Sequence, residues 1–207
     1  EILPSDWSSD VCSSDLLLSV MMCYCAFSPS RDSTWKAGGA STVITPQESV
    51  WMGGYSSRTH SAERKIHDLW AKALYLEDAE KNGALIITCD LVGLSKAVSD
   101  RIKGGLCEKT GLLKAQIILN CSHTHSGPAT SDNLINIYPV DDADKALIDR
   151  YTEKLVERLI MLGKNACAKA VAARVFSQNG TVRFQVNRRN NRESLPKIGR
   201  ASCRERV

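Results

Sequence analysis

His123 and His125, separated only by Thr124, are two of the four histidines in this 207-residue chain. A neutral imidazole is both a metal ligand and a proton carrier, so two rings one residue apart can serve one metal ion or one reacting atom. An apolar, β-branched run, Ile117-Ile118-Leu119-Asn120-Cys121, leads into them through Ser122, and Ser126-Gly127-Pro128 follows and stops regular structure. Read as a strand, the run sends successive side chains to opposite faces, so His123 and His125 share one face and Thr124 takes the other. A helix would turn the same pair about 200° apart. His-x-His is short enough to occur in ordinary loops. Its place between an apolar strand and a Gly-Pro breaker favours a site.

The elements that must position this pair are legible on either side of it. Ala84 to Asp90 reads as a buried strand entered through a turn at Lys81-Asn82-Gly83. Ser95 to Lys109 sets Ala97, Val98, Ile102 and Leu106 at helical spacing and ends before Gly111, as an amphipathic helix does. The His-bearing strand, 115–122, comes next. Strand, helix, strand is the signature of a parallel pair in one sheet. The fold class expected is therefore α/β, a mixed and partly parallel sheet with flanking helices, with 84–90 and 115–121 adjacent and central.

Further out, Gly39 to Pro46 reads as a first strand ended by proline, and Ser49 to Tyr55 as a small-residue loop with aromatics. Arg58 to Lys65 is a polar connection, and Leu69 to Asp78 reads as a strand in a pattern that a helix would also fit. His67-Asp68, at the start of that strand, offers either a further ligand or a local hydrogen bond, the commoner role. Beyond the loop 126–140, the acids Asp141, Asp142 and Asp144 suit a helix N-terminus better than a cation site. Ala146, Leu147, Tyr151, Leu155, Leu159 and Leu162 then trace one helix face towards Ala170. Val171 to Phe176 and Thr181 to Val186 read as two strands joined at Gln178-Asn179-Gly180.

The two ends stand apart from all this. Asp6 to Leu16 is what one short-read sequencing adapter would encode if translated, and Ile198 to Val207 is what its partner would encode. Residues 1–16 and 197–207 are accordingly expected to be adapter-derived scars, excluded from fold reasoning, with 17–196 an internal piece of a longer reading frame. Within 17–30, the run Leu17 to Phe27 is too short for a membrane span and suits a truncated signal-peptide remnant, which implies a secreted or periplasmic protein. No lipobox precedes Cys23 or Cys25. Setting aside four acids in 1–16, and four bases and one acid in 197–207, turns the net charge of +4 into +5. That charge is mild and the bases of 17–196 are scattered, which argues against a nucleic-acid partner. Cys89, Cys107, Cys121 and Cys167 show neither metal-type spacing nor a dense disulfide pattern.

Taken together, these residues resemble the N-terminal part of the neutral/alkaline non-lysosomal ceramidase family from Ala37 to Arg188, which implies that 37–196 is the N-terminal part of a ceramidase-like catalytic domain. The resemblance rests chiefly on Ser122-His123-Thr124-His125-Ser126-Gly127-Pro128 after a helix and an apolar strand. Val43-Ile44-Thr45-Pro46, Met52-Gly53-Gly54-Tyr55, His67 with Leu69 to Leu74, Cys89-Asp90-Leu91 and Val186-Asn187-Arg188 support it. It implies that His123 ligates a catalytic Zn2+, that His125 lies beside the scissile amide, and that Arg188 contacts substrate. It also implies a ceramide-like N-acyl lipid as substrate and peripheral contact with a membrane surface. Where the family reads Asn-Arg-Ser-Pro, this chain has Asn187-Arg188-Arg189-Asn190. The family's other ligands, a His, a Glu and a Tyr, lie downstream, so this stretch alone is expected to be inactive. Two other readings fit the same residues: a secreted lipid- or glycan-binding relative without catalysis, and a metallohydrolase with another substrate.

Overall fold

The computed structural model describes residues 35–180; Arg188, the 181–186 run, the 17–30 apolar run and both end segments lie outside them. Five strands form one sheet: β1 (Trp35–Val43), β2 (Trp70–Glu77), β3 (Gly83–Cys89), β4 (Ile117–Cys121) and β5 (Val171–Ala173). Two helices accompany it, α1 (Lys96–Thr110) and α2 (Asp142–Ala168). The strand order is β4-β3-β2-β1-β5, with β3 and β4 parallel and every other pair antiparallel. The α/β class and the mixed sheet are as the sequence implies.

Period-two burial explains the strands. On β2, Ala71, Ala73 and Tyr75 are buried while Trp70, Lys72 and Leu74 are exposed; on β3, Leu85, Ile87 and Cys89 are buried. A short loop joins β2 to β3, where the Asp78 carboxylate accepts from the Asn82 N–H at 2.7 Å and Lys81 takes a φ of 66°. Ser95 caps α1 by accepting from the Val98 N–H, and Gly111 closes it at φ 75° while donating to the Cys107 carbonyl. Asp141 caps α2 by accepting from the Asp144 N–H at 2.8 Å, so the acid cluster does the helix work expected of it.

Both helices lie on the sheet's buried face. The long helix α2 packs across β1, β2 and β3, and α1 packs against α2. Gly163 marks the three-way junction, because a Cβ there would meet Leu106 of α1 at 2.5 Å and Leu85 of β3 at 2.9 Å. Two bonds pin α2 to the end of β1: Tyr151 Oη donates to the Ile44 carbonyl at 2.8 Å, and Arg158 to the Val43 carbonyl at 3.1 Å.

Three sequence expectations are corrected. The strand β4 is adjacent and parallel to β3, but it forms an edge of the described sheet instead of sitting centrally. The first strand runs from Trp35 to Val43, because Lys36 and Ala37 find partners on both β2 and β5 and Trp35 on β5, and it stops short of Pro46. Only Val171 to Ala173 of the proposed 171–176 strand pairs, and its partner is β1. The outer face of the sheet is partly apolar. Leu74, Ile86 and Ile118 sit in register across three strands, with Leu74 44% and Ile118 51% exposed.

Adjacent glycines on β1 test this layering. A Cβ on Gly38 would strike the Ala166 carbonyl of α2, which is backbone and cannot step aside, whereas a Cβ on Gly39 meets open space. Gly38→Ala should lower unfolding free energy by about 1–3 kcal/mol. Gly39→Ala should leave it within about 0.5 kcal/mol of the parent or slightly higher. Urea denaturation of the two variants checks the difference.

Candidate functional site

The hydrogen-bond ladder between β3 and β4 runs on past both strand ends. The Ser122 N–H donates to the Cys89 carbonyl and the Thr124 N–H to the Leu91 carbonyl, each at 3.0 Å. Leu91 and Val92 are buried, so this track is rigid. Between its two rungs His123 adopts φ 58°, the left-handed region that costs a non-glycine residue of the order of 1–3 kcal/mol. In that conformation its Nδ1 sits 2.9 Å from the Val92 carbonyl. A carbonyl only accepts, so Nδ1 carries a proton, and in the neutral ring Nε2 is then the nitrogen with the lone pair.

His123 and His125 do converge, with ring centroids 4.6 Å apart at 66°. Strand alternation is not the cause. The strand ends at Cys121, and a turn built on the positive φ of His123 brings the rings together while the Ser122 and Thr124 hydroxyls bond each other at 2.7 Å.

A second loop supports the turn from the side. Met52 bridges Pro128, the Gly53 N–H donates to the Gly127 carbonyl at 2.9 Å, and the Ala129 N–H donates to the Trp51 carbonyl at 2.8 Å. The Gly54 N–H donates to Tyr138 Oη at 2.7 Å. Gly54 has φ 108°, and a Cβ there would lie 2.6 Å from Cγ of His125. This position needs glycine for both reasons. The Tyr55 ring stands edge-on to His125 with centroids 5.0 Å apart. Arg58, read from sequence as part of a polar connection, reaches in and donates from Nη2 to the His125 carbonyl at 2.7 Å. Its guanidinium lies 5.4 Å over the Tyr55 ring. One arginine in a charged run carries no sequence signal for this.

The other sequence candidates stay apart. His67 is exposed, with Nδ1 3.1 Å from the Asp68 carbonyl, and Asp90 accepts from the Trp70 N–H at 2.9 Å. Among the described residues, no three His, Cys, Asp or Glu side chains converge to hold a metal, so neither joins the pair. Beneath the turn, burial and the neighbouring Cys121 push the Cys89 thiol up to about 12, and burial pushes Cys121 up to about 11. Both stay protonated at neutral pH and offer no thiolate.

With this geometry in hand, solved structures can be compared. The neutral ceramidase of Pseudomonas aeruginosa superposes with a TM-score of 0.57 and 21% identity, over 68% of this chain and 22% of that one. The fold is ceramidase-like. A ceramidase complexed with C2 gives a TM-score of 0.53 and 23% identity over the same shares. This chain therefore spans about a fifth of the length of those ceramidases, and the likeness speaks to the fold alone. No family model matches the chain, and no curated protein sequence does.

Two outcomes follow within this ceramidase-like frame. Gly54→Ala should cost about 1–3 kcal/mol, because a Cβ would displace His125 and strain the backbone together; thermal melts, with a crystal structure of the variant, would show it. Iodoacetamide at mildly alkaline pH should alkylate Cys89 and Cys121 many-fold more slowly in the folded chain than in urea, as peptide mass spectrometry would read.

Proposed function

We propose that this chain is the N-terminal part of a zinc-dependent amidase that hydrolyses the N-acyl amide of ceramide-like lipids to sphingoid base and fatty acid. The setting of His123 carries the reading. Its Nδ1 is committed to the Val92 carbonyl at 2.9 Å, so Nε2 is the nitrogen that would take a metal. Anchoring one ring nitrogen in this way is how metal-ligating histidines are oriented. The His-Thr-His-Ser-Gly-Pro motif and the ceramidase-like fold support the same assignment.

A zinc bound there would supply a Lewis acid and a water whose pKa is brought near ~7. The work of this chain's own residues is then separable. His123 would hold the metal through Nε2. His125 would donate a hydrogen bond to the developing oxyanion or a proton to the leaving amine. Arg188 would contact the lipid substrate, and the protein would act in the cell envelope or outside the cell, in peripheral contact with a membrane. A catalytic zinc needs three protein ligands and an open position, so the remaining ligands would come from sequence downstream.

Two preparations test this. Residues 28–196, dialysed with zinc, should retain less than stoichiometric metal and show no turnover of an N-acylsphingosine. A longer chain carrying the downstream His, Glu and Tyr should hold one zinc and turn the lipid over. There His123→Ala should abolish both, while His125→Ala should keep the metal and lower kcat by on the order of 10²–10⁴. A longer chain that binds lipid with neither zinc nor turnover would make the protein a binding relative instead.

A further inference from the structure

We infer that Arg58 is a positioning residue for His125, setting where that imidazole stands relative to His123. The inference rests on the proposed role of His125 only for its importance; its physical content needs neither metal nor substrate.

The turn at 122–128 is fixed at its start by the ladder to Cys89 and Leu91, and near its end by the Gly53 N–H on the Gly127 carbonyl. Between these anchors the peptide after His125 is held by Arg58, whose Nη2 donates to the His125 carbonyl at 2.7 Å. A charged donor on a carbonyl in a part-buried setting is among the stronger hydrogen bonds a loop can use. Rotation of that peptide would swing the His125 ring away from His123, now 4.6 Å distant. The same guanidinium lies over Tyr55, and the Tyr55 ring in turn stands 5.0 Å from the His125 ring. One side chain thus holds His125 twice, through its carbonyl and through the aromatic wall beside its imidazole. Arginine can do both at once because its planar group stacks and donates together, and lysine can supply only the donor and the charge.

Nothing else explains Arg58. Its Nε is buried with no acceptor among the described residues, a cost that a purely solvated loop arginine would not carry. Gly54, tight against His125, completes the cradle.

The test is carbethoxylation of histidines by diethyl pyrocarbonate in the full chain after EDTA dialysis, near about pH 8, where ordinary imidazoles are neutral. Fragment-ion mass spectrometry separates His123 from His125, and the exposed His60 and His67 serve as internal references. In the parent chain His125 should react several-fold more slowly than either reference. Arg58→Met keeps the apolar stem and removes the donor, so His125 should accelerate towards the references while the melting curve stays put. Arg58→Lys, which keeps the donor and loses the stacking, should bring the rate only part of the way back to the parent's. The inference is overturned if His125 reacts like the references in the parent chain, or if Arg58→Met leaves its rate unchanged. It is equally overturned if Arg58→Met abolishes cooperative melting, because Arg58 would then be holding the fold. Failure of the zinc reading would leave all of these rates as they are.

Discussion

The parallel hydrogen bonding of β3 with β4 is the constraint on which the rest depends. Its register is set by burial, since Leu85 pairs with Ile117 and both face the helices, with Ile87 and Cys89 continuing the same row. A slip of one residue would turn that whole row outward, so the core admits one register only. Once it is set, Ser122 and Thr124 fall opposite Cys89 and Leu91. His123 has no choice left but to bridge the two rungs, at a backbone angle it would not adopt alone and with Nδ1 on Val92. The apolar core thereby fixes a tautomer.

A ladder alone would leave His125 free to rotate. Close approach by the 51–58 loop removes that freedom, and Gly54 makes the approach feasible by lying against His125. On the other side of the turn, a Cβ on Gly127 would be 2.9 Å from the Asp90 carbonyl just past β3. The mutual backbone bonds at Trp51, Gly53 and Ala129 hold the two loops as one body. The His125 imidazole is thus held close against Gly54 and walled by Tyr55, which suits a group whose orientation matters more than its mobility.

Much of this was legible in the residue order, and the remainder was hidden for definite reasons. Both helices announce themselves through periodicity and end signals, with Ser95, Gly111 and Asp141 acting as caps. The β3-α1-β4 unit follows from its pattern, and so does the meeting of His123 with His125. The mechanism of that meeting did not follow, because a positive φ at His123 is imposed by the ladder and no local propensity asks for it. The edge position of β4 was likewise invisible, since Ile118 reads as core in sequence and is half exposed in the sheet. Arg58 was missed because its partner is a backbone carbonyl 67 positions away.

That separation also bears on how the chain folds. The β2–β3 hairpin and α1 are local and can form early, whereas the bonds that finish the imidazole cradle join residues 67 and 84 apart in sequence. Contacts of such range await chain closure, so they form late and open early. The cradle therefore assembles after those local elements, together with the other long-range contacts of the fold. A collapsed intermediate with most of its secondary structure would carry both histidines and still have no site.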